Sequence, residues 1–224
     1  MAEKIDHQIG VGGFKITDKE KANVMKVLDS GRLNYGEFSR KFESEFSQLH
    51  NSKFGVMTNS GTDALRMAIA ALKEKYKWND GDEVIVPALT FIATSNVVLQ
   101  NNLTPVFVDV EKDYYGIDTE KIENAITDRT RAIMPVHLFG MPAQMDKIVE
   151  ISKKHDLKIV EDAAHAVWAE YMGEKIGSLK GTDITCFSFH PVKNLTTGEG
   201  GAITTNKDEY AERALRLRLH GITK

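Results

Sequence analysis

The chain has 224 residues, with 29 Lys plus Arg against 32 Asp plus Glu for a formal charge of −3, and is 42% hydrophobic and 27% charged. This is ordinary globular composition, and a chain of this length can bury roughly 70% of its unfolded surface without covalent staples. The mild acidity offers no footprint for nucleic acid, no apolar run approaches the ~20 residues of a membrane span, and the single Cys186 builds neither a disulfide frame nor a cysteine zinc site.

The opening MAEKIDHQIG carries no apolar leader core, so a cytoplasmic protein with a small-molecule substrate is expected. Thr17-Asp18-Lys19-Glu20 is a capping-box pattern that precedes an apolar stripe and Gly31, which predicts a helix with a glycine end. Phe38, Phe42, Phe46 and Leu49 fall on one face of a second helix. Short apolar runs follow at FGVMT (54–58), EVIVP (83–87), PVFVDV (105–110), RAIMPV (131–136), KIVE (158–161), ITCFSF (184–189) and GGAITT (200–205). Helical patterns at 62–75, 92–100, 119–126 and 145–155 separate the first five. The alternation predicts an α/β domain, a mostly parallel seven-stranded sheet with helices on both faces. Ala211, Leu215 and Leu219 predict a last helix that runs on toward HGITK with no compact finish.

Ligands of such sheets sit at the carboxyl ends of the strands. After the first run, Gly61 and Thr62 would lie at a helix N-terminus, whose free N–H groups and dipole favour a phosphate; equally, Ser60 or Thr62 could merely cap the helix. The fifth run ends in Glu161-Asp162, with His165 three residues on. A buried Asp162 needs a partner: a protonated heteroaromatic nitrogen of a ligand, the backbone, or a nearby arginine. Asp162 and His165 supply two metal ligands and no obvious third, which argues against metal. Lys193 follows the sixth run, between Pro191 and a return containing Gly198, Gly200 and Gly201, glycines that suit close packing or positive φ. A lysine in a confined pocket forms Schiff bases with carbonyl compounds; most lysines in polar turns are simply solvated. Taken together, a phosphate cradle, a strand-end Asp and a pocket lysine are the parts that hold pyridoxal phosphate (PLP), and Phe91 could cover its ring or belong to the core.

The segments SGRLNYG (30–36), NSGTDAL (59–65), GDEVIVPALTFIATSN (81–96), AIMPVHLFGMPAQMD (132–146), EDAAHA (161–166) and FSFHPVKNLTTGEGGAITTN (187–206) resemble the DegT/DnrJ-type sugar aminotransferases of the fold-type I PLP superfamily. The resemblance implies that Lys193 is the Schiff-base lysine and proton shuttle, and that Asp162 is the pyridinium partner. It further implies that Gly61, Thr62 and Ser188 contact the phosphate, that Phe91 stacks on the ring, and that His165 lies near the phenolic oxygen where many relatives have glutamine. Lysine at 193 argues against the related dehydratases, which carry histidine there. Trp168 stands where relatives usually place glycine. The implied activity is transfer of an amino group, with glutamate as the expected donor, to a nucleotide-linked ketosugar, in a homodimer whose SGRLNYG loop approaches the neighbouring site. The family continues past HGI into a smaller C-terminal domain. Residues 1–224 are therefore expected to be the N-terminal arm and PLP-binding large domain of a truncated or partial enzyme. The alternatives are a non-catalytic or split-protein remnant of the same fold and a PLP-dependent lyase or dehydratase.

Overall fold

The computed structural model describes residues 15–222, so MAEKIDHQIG and the final Thr223 and Lys224 lie outside the described residues. Helices α1 (Asp18–Asp29) and α2 (Glu37–Leu49) come first. The expected capping contact is present on α1, where the Glu20 carboxylate accepts from the Thr17 N–H at 2.5 Å. None of the α1 residues is buried, whereas Phe46 of α2 reaches the core.

The chain then alternates β1 (Phe54–Thr58), α3 (Gly61–Tyr76), β2 (Glu83–Pro87), α4 (Ala93–Gln100), β3 (Thr104–Val108), α5 (Thr119–Ile122), β4 (Thr130–Ile133), α6 (Met145–His155) and β5 (Lys158–Asp162). A small hairpin of β6 (Glu170–Tyr171) and β7 (Glu174–Lys175) follows, then β8 (Ile184–Ser188), β9 (Gly201–Thr205) and α7 (Asp208–Arg218). Seven strands form one sheet in the order β1-β9-β8-β5-β4-β2-β3. Neighbours pair in parallel except for β9, which is antiparallel to both β1 and β8.

Side chains of each strand alternate between two core layers, as the pleat requires. Val84, Val86, Val160, Ile184, Cys186 and Ile203 pack with α3, α4 and α7. Ile85, Ile133, Ile159, Phe187 and Ala202 face the other way, toward Phe46 of α2 and Met145 and Ile148 of α6. Helices on both faces leave the strand ends as the open edge of the sheet, and the site is built there.

Four elements depart from the expectation for identifiable reasons. The run at 131–136 gives a strand only to Ile133, because Pro135 has no N–H to donate. Pairing resumes around the proline, with Asp162 N–H donating to the Pro135 carbonyl at 2.9 Å and a single bridge between Val136 and Asp162. The helix at 119–126 is one α-turn and a tighter turn, Glu123–Ala125; the chain then extends so that the Thr127 hydroxyl can donate to Glu83 at 2.5 Å. The last helix does have a finish. His220 adopts φ 58° and the Gly221 N–H returns to the Arg216 carbonyl at 2.8 Å, closing the helix as a Schellman motif, while Leu215 and Leu219 stay partly exposed.

The β6–β7 hairpin is too short to leave a periodic signal, and the residues around it take unusual backbone. Met172 and Gly173 form its turn at φ 49° and 80°, and Trp168 just before it sits at φ 71° with its side chain exposed. A left-handed backbone explains why glycine suits position 168 better than an L side chain. Trp168→Gly is therefore expected to raise the unfolding free energy by about 0.5–1 kcal/mol, after loss of the cation–π contact that Lys175 makes with the indole. A urea titration should show a higher midpoint at unchanged slope.

Candidate active site

Because β9 is reversed, its first residue lies among the last residues of its neighbours: Gly201 pairs with Thr58 of β1 and with Ser188 of β8. The carboxyl ends of β1, β5 and β8 thus surround a cavity of about 460 Å³ that is lined by Gly61, Thr62, Phe91, Asp162, His165, Ser188 and Lys193, all seven residues singled out from the sequence.

At the N-terminus of α3, the Ser60 hydroxyl accepts from the Asp63 N–H at 3.0 Å, and the Ser60 carbonyl accepts from the Thr58 hydroxyl at 2.8 Å. Capping and anion binding are therefore compatible: Ser60 occupies one orphan donor, and the N–H groups of Gly61 and Thr62 have no acceptor among the described residues. Packing around them is tight. A Cβ on Gly61 would stand 2.6 Å from the Ser188 Cβ, and one on Gly201 would stand 2.4 Å from the Ser60 carbonyl oxygen. Close approach thus explains Gly201, while Gly198 serves the other glycine role at φ 83°.

Asp162 closes β5 almost wholly buried. One carboxylate oxygen accepts from the Thr94 hydroxyl at 2.8 Å, and the other accepts from the Ala164 N–H at 3.2 Å. Thr94 in turn touches the Thr90 hydroxyl at 2.9 Å. Its tie is thus to the backbone and a helix threonine, not to an arginine. Behind it, the Asp162 carbonyl accepts from the His137 N–H at 3.0 Å, and the buried His137 ring lies 3.0 Å from Glu161, which also accepts from Thr185 at 2.5 Å. Removing the hydroxyl with Thr94→Val would leave a buried carboxylate oxygen short of a donor. An expected loss of about 1.5–3 kcal/mol would appear as a lower urea midpoint.

Lys193 lies in the β8–β9 connection with its Nζ 2.8 Å from His165 Nε2. His165 Nδ1 accepts from the Phe139 N–H at 3.2 Å, and the Phe139 ring stacks on the imidazole at 6.0 Å with an interplanar angle of 4°. Burial lowers the Lys193 pKa, opposed by the charge of Asp162. Burial and then Lys193 lower that of His165, again opposed by Asp162. Phe91 is not a core residue. Its side chain is 68% exposed at the mouth of the cavity.

Two participants escaped the sequence reading. Thr94 looks like any small residue on the inner face of a helix, and its tie to Asp162 depends on the first turn of α4, a helix packed on β2 and β3, reaching the end of β5. Phe139 contributes a backbone N–H, which no residue type reveals. Among the described residues no group of His, Cys, Asp and Glu could hold a metal ion, and no helix is long and apolar enough to cross a membrane.

The model of the DegT/DnrJ/EryC1/StrS aminotransferase family matches residues 15–224. The chain is 47% identical over 209 residues to an uncharacterized protein of Methanocaldococcus jannaschii, covering 93% of this chain and 53% of that protein. It is 45% identical over 208 residues to the UDP-N-acetyl-3-dehydro-alpha-D-glucosamine 3-aminotransferase of Acidithiobacillus ferrooxidans, covering 92% of this chain and 54% of that enzyme. Among solved structures, it superimposes with a TM-score of 0.89 and 34% identity on a Streptococcus pneumoniae protein provisionally named a sugar aminotransferase, in its PLP-form, covering 97% and 59% of the two chains. The chain spans about half the length of the curated relatives it matches.

Proposed function

The chain belongs to the DegT/DnrJ/EryC1/StrS aminotransferase family, and from that premise we propose that it carries the cofactor-holding part of a PLP-dependent aminotransferase. The reaction moves an amino group from glutamate to a nucleotide-linked ketosugar, in a homodimer working in the cytoplasm. Residues 1–224 are the N-terminal arm and large domain, and the small domain lies outside them. One observation carries the reading: a half-buried lysine amine, a buried carboxylate and an open helix N-terminus surround one cavity.

The residues present fit PLP. The cradle between Gly61, Gly201 and Ser188 is too tight for extra side-chain atoms, yet it leaves two N–H groups and a hydroxyl for a phosphate. Asp162 is fixed by Thr94 and Ala164, and it lines the cavity where a protonated ring nitrogen would meet it. Phe91 would cover one ring face, and Lys193 would hold the aldehyde carbon through its Nζ. When bound, PLP supplies an electron sink for the carbanion that forms as the amine-bearing carbon loses its proton.

The chain's own contribution is binding and proton transfer. With PLP in place, Lys193 would hold its aldehyde carbon and, once freed by a donor amine, would carry the transferred proton on its Nζ. Asp162 would face the ring nitrogen and hold it protonated through a charge-assisted hydrogen bond, which would maintain the sink. The nucleotide-sugar substrate is supported by the relative that acts on a UDP-linked dehydro-sugar. Incubating the full gene product with PLP, glutamate and UDP- or GDP-linked ketosugars should yield 2-oxoglutarate and an aminosugar in equal amounts. Sugar conversion without 2-oxoglutarate would overturn both the donor and the transamination.

A further inference from the structure

We propose that His165 is a positioning residue that holds Lys193 as an uncharged amine, through an imidazole whose tautomer is set by the backbone of Phe139. The inference rests on the reading of Lys193 as the carbonyl-binding amine. It concerns the state of that amine before any carbonyl arrives.

A backbone N–H can only donate. With the Phe139 N–H directed at Nδ1 at 3.2 Å, that nitrogen must present its lone pair, and a neutral imidazole then carries its proton on Nε2. Nε2 is the atom that faces Lys193 Nζ at 2.8 Å. An ammonium in that position would set donor against donor, whereas a free amine accepts the Nε2–H. A hydrogen bond made to the neutral form of a base disfavours its charged form.

The donor that fixes the tautomer is itself held firmly. Phe139 adopts φ 55° and is followed by Gly140 at φ 86°, and a Cβ on Gly140 would come within 3.1 Å of the His165 carbonyl oxygen. The turn is closed by the Gly140 N–H donating to the His137 carbonyl at 3.2 Å, and His137 Nδ1 accepts from the Ala143 N–H at 3.1 Å. One loop therefore aims a backbone N–H at the Nδ1 of two histidines, the buried His137 and the active-site His165. A left-handed phenylalanine is a strained conformation, so the surroundings must hold it in place.

The charges that face the pair come from two segments, the end of β5 and the β8–β9 connection. Asp162, at the end of β5, favours a charged lysine and opposes the effect. His190 and Glu199, from the connection that carries Lys193, line the same cavity and lie 3.9 Å from each other. Burial acts on both Lys193 and His165 in the same sense as the hydrogen bond.

The test uses the full chain before PLP is added. Competitive labelling with acetic anhydride across pH, read at Lys193 by mass spectrometry, gives the titration midpoint of that one amine. The wild-type midpoint should lie below that of ordinary lysine. His165→Leu, which keeps the site dry but removes the donor, should raise it by about one pH unit, a roughly tenfold loss of labelling rate near neutral pH. His165→Gln, whose amide can still donate, should stay close to wild type. Nitrogen-15 NMR of the wild type should show His165 protonated at Nε2 and bare at Nδ1, a measurement that holds even if His165→Leu does not fold. An unchanged midpoint in a folded His165→Leu, or a proton on Nδ1, would overturn the proposal. Reduction with borohydride after PLP is added tests the underlying reading separately: adduct on a lysine other than Lys193 would sink that reading while leaving the protonation result standing.

Discussion

Lys193→Ala is expected to abolish the visible absorption band that the wild-type chain develops when mixed with PLP. The reason is chemical: Lys193 is the amine within the cavity, and it lies 2.8 Å from His165 in a site whose other lining groups cannot bond a carbonyl carbon in that way. In the proposed reaction, loss of the amine also removes the proton carrier. The amino-donor half-reaction of the full gene product should fall by roughly 10²–10⁴-fold for that role alone. Adding a small primary amine should restore part of the rate, because it replaces the proton carrier and not the tether. Identical bands in mutant and wild type would show that another lysine is involved.

Asp162→Asn should give the second-largest loss, and one of a different character. Asparagine preserves the shape of the group held by Thr94 and Ala164, so the fold should persist. What disappears is the negative charge that would keep a ring nitrogen protonated. PLP should still be captured on Lys193, but the donor half-reaction should slow by roughly 10²–10⁴-fold, because proton abstraction depends on the electron sink. Stopped-flow absorbance separates capture from the half-reaction. A rate within about threefold of wild type would mean that the carboxylate serves only the fold.

The parts of this site that were legible in the sequence are those in which a residue type and a strand end coincide. Asp162 follows an apolar run directly and Lys193 comes a few residues after another, while Gly61 and Thr62 open a helix after a third, so the rule that ligands gather at strand ends pointed to them. The seven runs likewise became the seven strands of the sheet. What stayed hidden depends on contacts between distant segments. The reversal of β9 leaves no mark in GGAITT, since a strand buried on both faces reads the same in either direction. Thr94 owes its role to the first turn of α4 standing beside the end of β5, and the donor to His165 is main chain. Phe91 is a different case: its residue type left core or ring cover open, and its exposed place at the cavity mouth removes the core reading.

The reversed strand has a consequence for how the protein comes into being. Thr58 and Gly201, which meet across β1 and β9, are 143 residues apart in sequence. Gly201, which packs against Ser60 and Gly61, is therefore made long after the turn it seats against, on the order of 10 s later during synthesis. Until then β1 has no hydrogen-bonding neighbour in the sheet, and joining it closes a very long loop, a slow step in folding. Cofactor capture should accordingly be a late event that locks an assembled sheet. PLP added during refolding should leave the early rate unchanged and retard the final opening of β1 from β9, which hydrogen exchange at Val56 and Ile203 can follow.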